Sequence, residues 1–129
     1  MAKILIVEDE PAVVMLMRFI LEKVGHKVTE AGNGQIALQA LGVDPENPSA
    51  ELPDLILLDV MMPIVDGYTV AIALKNSERA RSVPILVVTA KTDMRTMFES
   101  LPNVRGFFSK PFDPKMLRES VAKLLDGRA

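Results

Sequence analysis

The sequence predicts a doubly wound α/β domain, a five-stranded parallel sheet between two layers of helices. Three observations carry this. Unbroken apolar runs of strand length recur: ILIV at Ile4–Val7, LILL at Leu55–Leu58 and ILVV at Ile85–Val88. Such runs suit strands buried on both faces, as in a parallel sheet covered by helices. Segments of helical periodicity alternate with them, so the order reads β-α five times, joined by right-handed crossovers. Finally, 129 residues, 49% of them hydrophobic, fill one domain spanning the chain with a full core and leave little room for a second.

Taken in order, Ile4–Val7 is the first strand. Pro11 suits the first turn of the helix that follows. Val13, Met17, Ile20 and Val24 form its apolar stripe, and Gly25 stops it. Lys27–Ala31 alternates and is the second strand, followed by a short helix from Gly34 to Leu41 that Gly42 ends. Leu55–Leu58 is the third strand. Asp66 caps a helix from Gly67 to about Asn76. Ile85–Val88 is the fourth strand, with a weaker helix from Thr92 to Leu101 stopped by Pro102. Gly106–Phe108 is the fifth, a weaker run. Asp113-Pro114 starts the last helix, whose face is Leu117, Val121, Leu124 and Leu125. The loop Val43–Pro53 holds three prolines and reads as a polar, stiff surface excursion inserted within the domain.

Bulk properties narrow the function. The formal net charge of −2 gives no electrostatic case for binding nucleic acid, which needs clustered Lys and Arg. Without cysteine there is no disulfide framework, thiolate chemistry or thiolate metal site. The first apolar run is too short for a signal peptide, and no stretch is long enough to span a bilayer. The expectation is a cytoplasmic protein without membrane insertion.

The chemistry lies where the apolar runs end. The first ends in Glu8-Asp9, the third in Asp59, the fourth in Thr89-Ala90 and the fifth in Ser109-Lys110-Pro111. In a parallel sheet these ends share one edge, and open α/β sheets bind ligands in the crevice outside it. Clustered carboxylate oxygens suit a hard cation such as Mg2+, which takes one or two carboxylates plus waters and phosphate oxygens. Lys110 adds a positive charge and Thr89 a hydroxyl donor, so the set can surround a phosphoryl group. A carboxylate is also a competent phosphoryl acceptor, which gives Asp59 a role as nucleophile.

With these residues in place, the chain resembles, from end to end, the receiver domain of bacterial two-component response regulators. It is most similar to the stand-alone, chemotaxis-regulator-like type. The motifs that carry the resemblance are ILIVEDE, LILLDVMMPIVDG, ILVVTAK and FFSKPF, in that order. The resemblance implies a flavodoxin-like fold and a signalling protein that catalyses only its own phosphorylation and dephosphorylation. It implies that Asp59 is the phosphoacceptor, and that Asp9 binds Mg2+ directly, with Glu8 assisting. Asp59 itself and the backbone carbonyl of Met61 complete the metal ligands. Thr89 binds the phosphoryl oxygen and shifts, Lys110 pairs with the phosphoryl group, and the Lys110–Pro111 peptide is cis. Phe107 holds the aromatic switch position and turns inward when Thr89 moves.

The implied partners are a histidine kinase or histidine phosphotransfer protein as donor and a downstream protein target. Output comes through protein–protein contact, in signalling or in a phosphorelay; the sequence leaves the oligomeric state open, with a monomer favoured over a dimer. The sequence departs from the family pattern in four places. Glu8 stands where Asp is common, Phe107 where Tyr is frequent and Gly106 where Ala is usual. The Thr89-to-Lys110 segment is also about one residue short and contains Pro102. These departures bear on the fourth helix and leave the phosphorylation chemistry intact.

Plainer readings stand beside these. Asp59 alone could be a strand-end acid bonded to turn amides, and Glu8-Asp9 could simply open a helix. Phe107 as plain core is an equal alternative, since Phe108 faces the other side of the strand. Met61 and Met62 read as partly packed loop residues, because thioethers do not suit a carboxylate-rich site. His26, the only histidine, reads as a surface turn residue, so the phosphoryl group comes from another protein. Lys91, Arg95, Arg105 and Arg118 form a basic patch that reads as a solvated face, with a partner surface as the alternative. The alternative function is a receiver-like binding module that is not phosphorylated, which the intact set of site residues disfavours. A phosphatase of the haloacid-dehalogenase type would want an acid where Met61 stands.

Overall fold

The computed structural model describes residues 2–90 and 94–127. Its strands are β1 (Lys3–Val7), β2 (Lys27–Ala31), β3 (Leu55–Leu58), β4 (Ile85–Thr89) and β5 (Val104–Ser109). Its helices are α1 (Pro11–Lys23), α2 (Gly34–Ala40), α3 (Gly67–Lys75), α4 (Arg95–Glu99) and α5 (Pro114–Gly127). The strands pair in parallel in the order β2-β1-β3-β4-β5. This is the doubly wound order expected, and it places the reversal of winding between β1 and β3.

The unbroken apolar runs are explained by two cores, one on each face of the sheet. Leu5, Val7, Ile56, Leu58, Ile85 and Val87 pack on one face with Leu38, Val70, Leu74 and Phe98. The alternate residues, Ile4, Ile6, Leu55, Leu57, Leu86 and Val88, pack on the other with Met17, Ile20, Leu21, Leu117 and Val121. Each strand residue therefore has a core to enter, whichever way it points.

Local signals act as the sequence suggests at several ends. The Asp66 side chain accepts from Thr69 N–H (2.8 Å) and caps α3. Asn33, which the sequence reading did not single out, caps α2 through Ile36 N–H (2.9 Å). Gly25 takes the left-handed conformation (φ +95°) that ends α1. The Lys110–Pro111 bond is cis.

Four details differ from expectation. The face of α1 is rotated: Val14, Met17, Ile20 and Leu21 are buried, Val13 is only half-buried and Val24 is exposed at the C-cap. α4 is shorter than expected, with Leu101 buried beyond its end; Thr92, its expected start, and Lys91 lie outside the described residues. His26 is half-buried, accepting Ala2 N–H at Nδ1 (3.3 Å), and burial lowers its pKa. The excursion after α2 is held down. Arg79 donates to the carbonyls of Leu41 (3.0 Å) and Ala50, and Lys3 pairs with Glu51. Among the described residues no helix is long and apolar enough to cross a membrane.

Candidate functional site

The sheet continues one residue beyond several strands, and this positions the site. Glu8 N–H donates to the Ala31 carbonyl (3.1 Å), Asp59 N–H to Val7 (3.0 Å) and Lys110 N–H to Thr89 (2.9 Å). The backbones at Glu8, Asp59 and Lys110 are thus pinned to neighbouring strands, and their side chains meet above the sheet edge. Gly67 seats the start of α3 against the same place. Its N–H donates to the Val60 carbonyl (2.9 Å), and a Cβ there would collide with the Asp59 carbonyl oxygen and the Val60 Cα. A glycine is required by that approach.

Glu8 is 1% exposed and Asp59 5%, so two carboxylates share a buried position. Lys110 lies between them. Its Nζ donates to Glu8 Oε1 (2.6 Å) and sits 3.6 Å from Asp59 Oδ2. Glu8 Oε2 accepts the N–H of Glu10 (3.2 Å), and Asp59 Oδ1 accepts the N–H of Val60 (2.8 Å). The second Asp59 oxygen is therefore the one turned toward the lysine.

Burial raises the Glu8 pKa to about 7, the bond from Lys110 pulls against that shift, and the charge of Asp59 adds to it. Lys110 is pulled down by burial, but its bond to Glu8 and the charges of Asp59, Glu8 and Glu10 outweigh this and raise it. One lysine thus faces more negative charge than it neutralises.

Carboxylate oxygens of Glu8, Asp9 and Asp59 lie within 4.8 Å of one another. Glu8 and Asp59 are buried and Asp9 is exposed, so the group opens to solvent on one side. Every side-chain donor is a hard oxygen, and the local charge is in deficit of cations. This chemistry fits Mg2+ and not a soft metal. Next to the group is a hollow of about 240 Å3, bordered by Glu8, Asp9, Pro11 and Met15.

The other expected residues fall nearby or on the adjoining strands. Thr89 ends β4 and is buried. Met61 lies two residues beyond Asp59 and is 57% exposed, not partly packed; Met62 is the one against the core. Phe107, in β5, packs beside Phe98, whereas Phe108 turns to Phe112 on the opposite face. Glu8 and Asp9 do not open a helix: α1 starts at Pro11, with Glu10 at its N-cap making no side-chain cap. Arg95 lies over the Phe107 ring, and Arg105 donates to the Pro102 carbonyl (3.2 Å), so both have contacts within the protein.

Two contributors escaped the sequence reading. Glu10 supplies the amide that orients Glu8, and its carboxylate is 3.9 Å from Lys110. Three consecutive acids at Glu8-Asp9-Glu10 were the available signal. Gly67 was read only as a helix residue; its place directly after a capping aspartate was the clue.

Comparison with known proteins gives one consistent answer. The family model for the response regulator receiver domain matches residues 4–122. Protein PilH of Pseudomonas aeruginosa is 31% identical over 98% of this chain and 100% of its own length. The DNA-binding dual master transcriptional regulator RpaA of Synechocystis sp. is 36% identical over 97% of this chain, which spans 49% of that regulator. Among solved structures, the signal receiver domain of a histidine kinase from Syntrophus aciditrophicus superposes with a TM-score of 0.84 at 34% identity, covering 98% of this chain and 92% of that one. The response regulator TrrA of Thermotoga maritima, solved in complex with Mg2+ and BeF, gives 0.80 at 29% identity, covering 96% and 99%.

Proposed function

The chain belongs to the response regulator receiver domain family, and from that premise we propose that it is a signalling switch phosphorylated on Asp59. Receiver domains are signalling proteins of two-component systems, not classical enzymes, and they bind Mg2+ at their acidic pocket. They take their phosphoryl group from histidine kinases or phosphotransfer proteins. The observation that carries the reading is the convergence of Glu8, Asp9 and Asp59 oxygens within 4.8 Å, with Lys110 bridging two of them.

In this reading Asp59 Oδ2 attacks the phosphorus of a phosphohistidine. The P–Oδ2 bond forms as the P–N bond breaks, and the imidazole leaves with the electron pair and takes a proton. The Val60 amide holds Oδ1 and so leaves Oδ2 as the attacking oxygen. Lys110 turns from Glu8 to the incoming phosphoryl oxygens and counters their charge. The Thr89 hydroxyl donates to one of those oxygens, and Phe107 follows its shift. Glu8, Asp9, Asp59 and the Met61 carbonyl would hold Mg2+, which supplies countercharge to the phosphoryl oxygens when bound.

Two features suit a protein donor. Met15 and Phe19, one turn apart on α1, and Ile64 in the β3–α3 loop are exposed apolar residues on elements flanking the pocket. Ile64 also holds φ +71°, a costly conformation for a β-branched residue, in the loop that follows Asp59. Output passes to a downstream protein that binds the two states of the switch with different affinity.

The test is intact mass after incubation with acetyl phosphate. One phosphoryl adduct, dependent on Mg2+, is expected. No adduct in wild type with Mg2+ bound would favour the unphosphorylated binding module.

A further inference from the structure

Arg95 opens α4 and has no part in the chemistry above. Its guanidinium carbon lies 5.6 Å from the centroid of the Phe107 ring. Phe98 packs beside the same ring, 6.2 Å away between centroids. Phe98 is fully buried and takes the Tyr68 ring edge-on at 5.4 Å and 81°. Tyr68 follows Gly67, whose backbone abuts Asp59. An aromatic row of Tyr68, Phe98 and Phe107 thus runs from the start of α3 to β5, with Phe107 half-buried at its end and Arg95 upon it.

Among the described residues Arg95 has one other partner. Its ion pair with Glu99, at 3.7 Å, joins two side chains that are each 63% exposed. Exposed pairs of that kind contribute little. The stack over Phe107 is therefore the contact that matters for where the guanidinium rests.

We infer that Arg95 is a positioning residue that latches Phe107 against Phe98, and so opposes the inward turn of the ring that phosphorylation of Asp59 requires. The inference rests on the proposed function, because only a phosphorylated Asp59 gives the ring cause to move. By its size, an exposed cation–π contact changes the balance between the two ring positions by about two- to fivefold.

The test is a beryllofluoride titration of the full 15N-labelled chain at saturating Mg2+, read from backbone amide signals. Arg95→Gln is expected to bind beryllofluoride about two- to fivefold more tightly than wild type. Arg95→Lys should fall between them, because ammonium stacks less well than guanidinium. Glu99→Gln should bind no more tightly than wild type, and Mg2+ affinity alone should not change in any variant. Equal or weaker beryllofluoride binding by Arg95→Gln would overturn the latch, as would a gain in Glu99→Gln that matches it. Failure of wild type to bind beryllofluoride at all would strike the proposed function and the latch with it.

Discussion

The two ends of the sheet use charge in opposite ways. At the end where the strands start, Arg79 reaches over the excursion after α2 and gives its N–H groups to the carbonyls of Leu41 and Ala50. Its hydrogen bonds close a loop onto the body of the domain. At the end where the strands finish, Glu8 and Asp59 are as buried as core residues, yet share a single lysine. The contrast separates structural from functional charge. A charge bound to backbone carbonyls stabilises a loop. Buried like charges left short of countercharge destabilise the fold locally, and in the proposed function they take a cation and a phosphoryl group.

The strongest way to break this contrast is Asp59→Asn. It should abolish the phosphoryl adduct completely while the protein stays folded and at least as stable, because one of two adjacent buried negative charges is gone. Intact mass and thermal melting read both. Gly67→Ala comes next. The methyl group must displace the Asp59 and Val60 backbone, so stability should fall by about 1–3 kcal/mol and adduct formation should slow.

Glu8 sharpens the comparison through pH. Its folded pKa, about 7, lies above the ordinary 4.5. The folded state therefore binds the extra proton, and this contribution to stability is full below pH 4.5 and lost as pH rises to about 7. The stability of wild type minus that of Glu8→Gln, measured by denaturant unfolding without divalent cation, should decline across that window. A flat or rising difference would contradict the burial argument.

Arg79→Ala tests the other end. It should cost about 1–2 kcal/mol, by leaving two carbonyls without their donor, with phosphorylation unchanged. The smallest effect belongs to Glu51→Gln. The Lys3–Glu51 pair is exposed, and its loss should leave the melting temperature at the wild-type value.

The residues also show what could be read in advance. The strands and the edge that carries the candidate site were legible because an unbroken apolar run needs cover on both faces, and its first polar residue marks where cover ends. Asp59 after Leu58, and Glu8 after Val7, carry that signal without help from the third dimension. The face of α1 was not legible in the same way. Val13, Val14, Met15, Leu16 and Met17 are all apolar, so periodicity offers several stripes, and contact with α5 and the sheet chooses among them. Nor was the partner of Lys110. Glu8 lies 102 residues away, and sequence places both on one edge without saying which carboxylate the lysine reaches. The role of Arg79 depends likewise on a long-range fit between a turn and a loop.

The most direct test of the central claim is to locate the modification. The protein is phosphorylated with acetyl phosphate and Mg2+, the acyl phosphate is reduced with borohydride, and the resulting homoserine is mapped by peptide mass spectrometry. The account predicts homoserine at Asp59 alone. Reduction at Glu8, Asp9 or an exposed acid, with Asp59 intact, would contradict it.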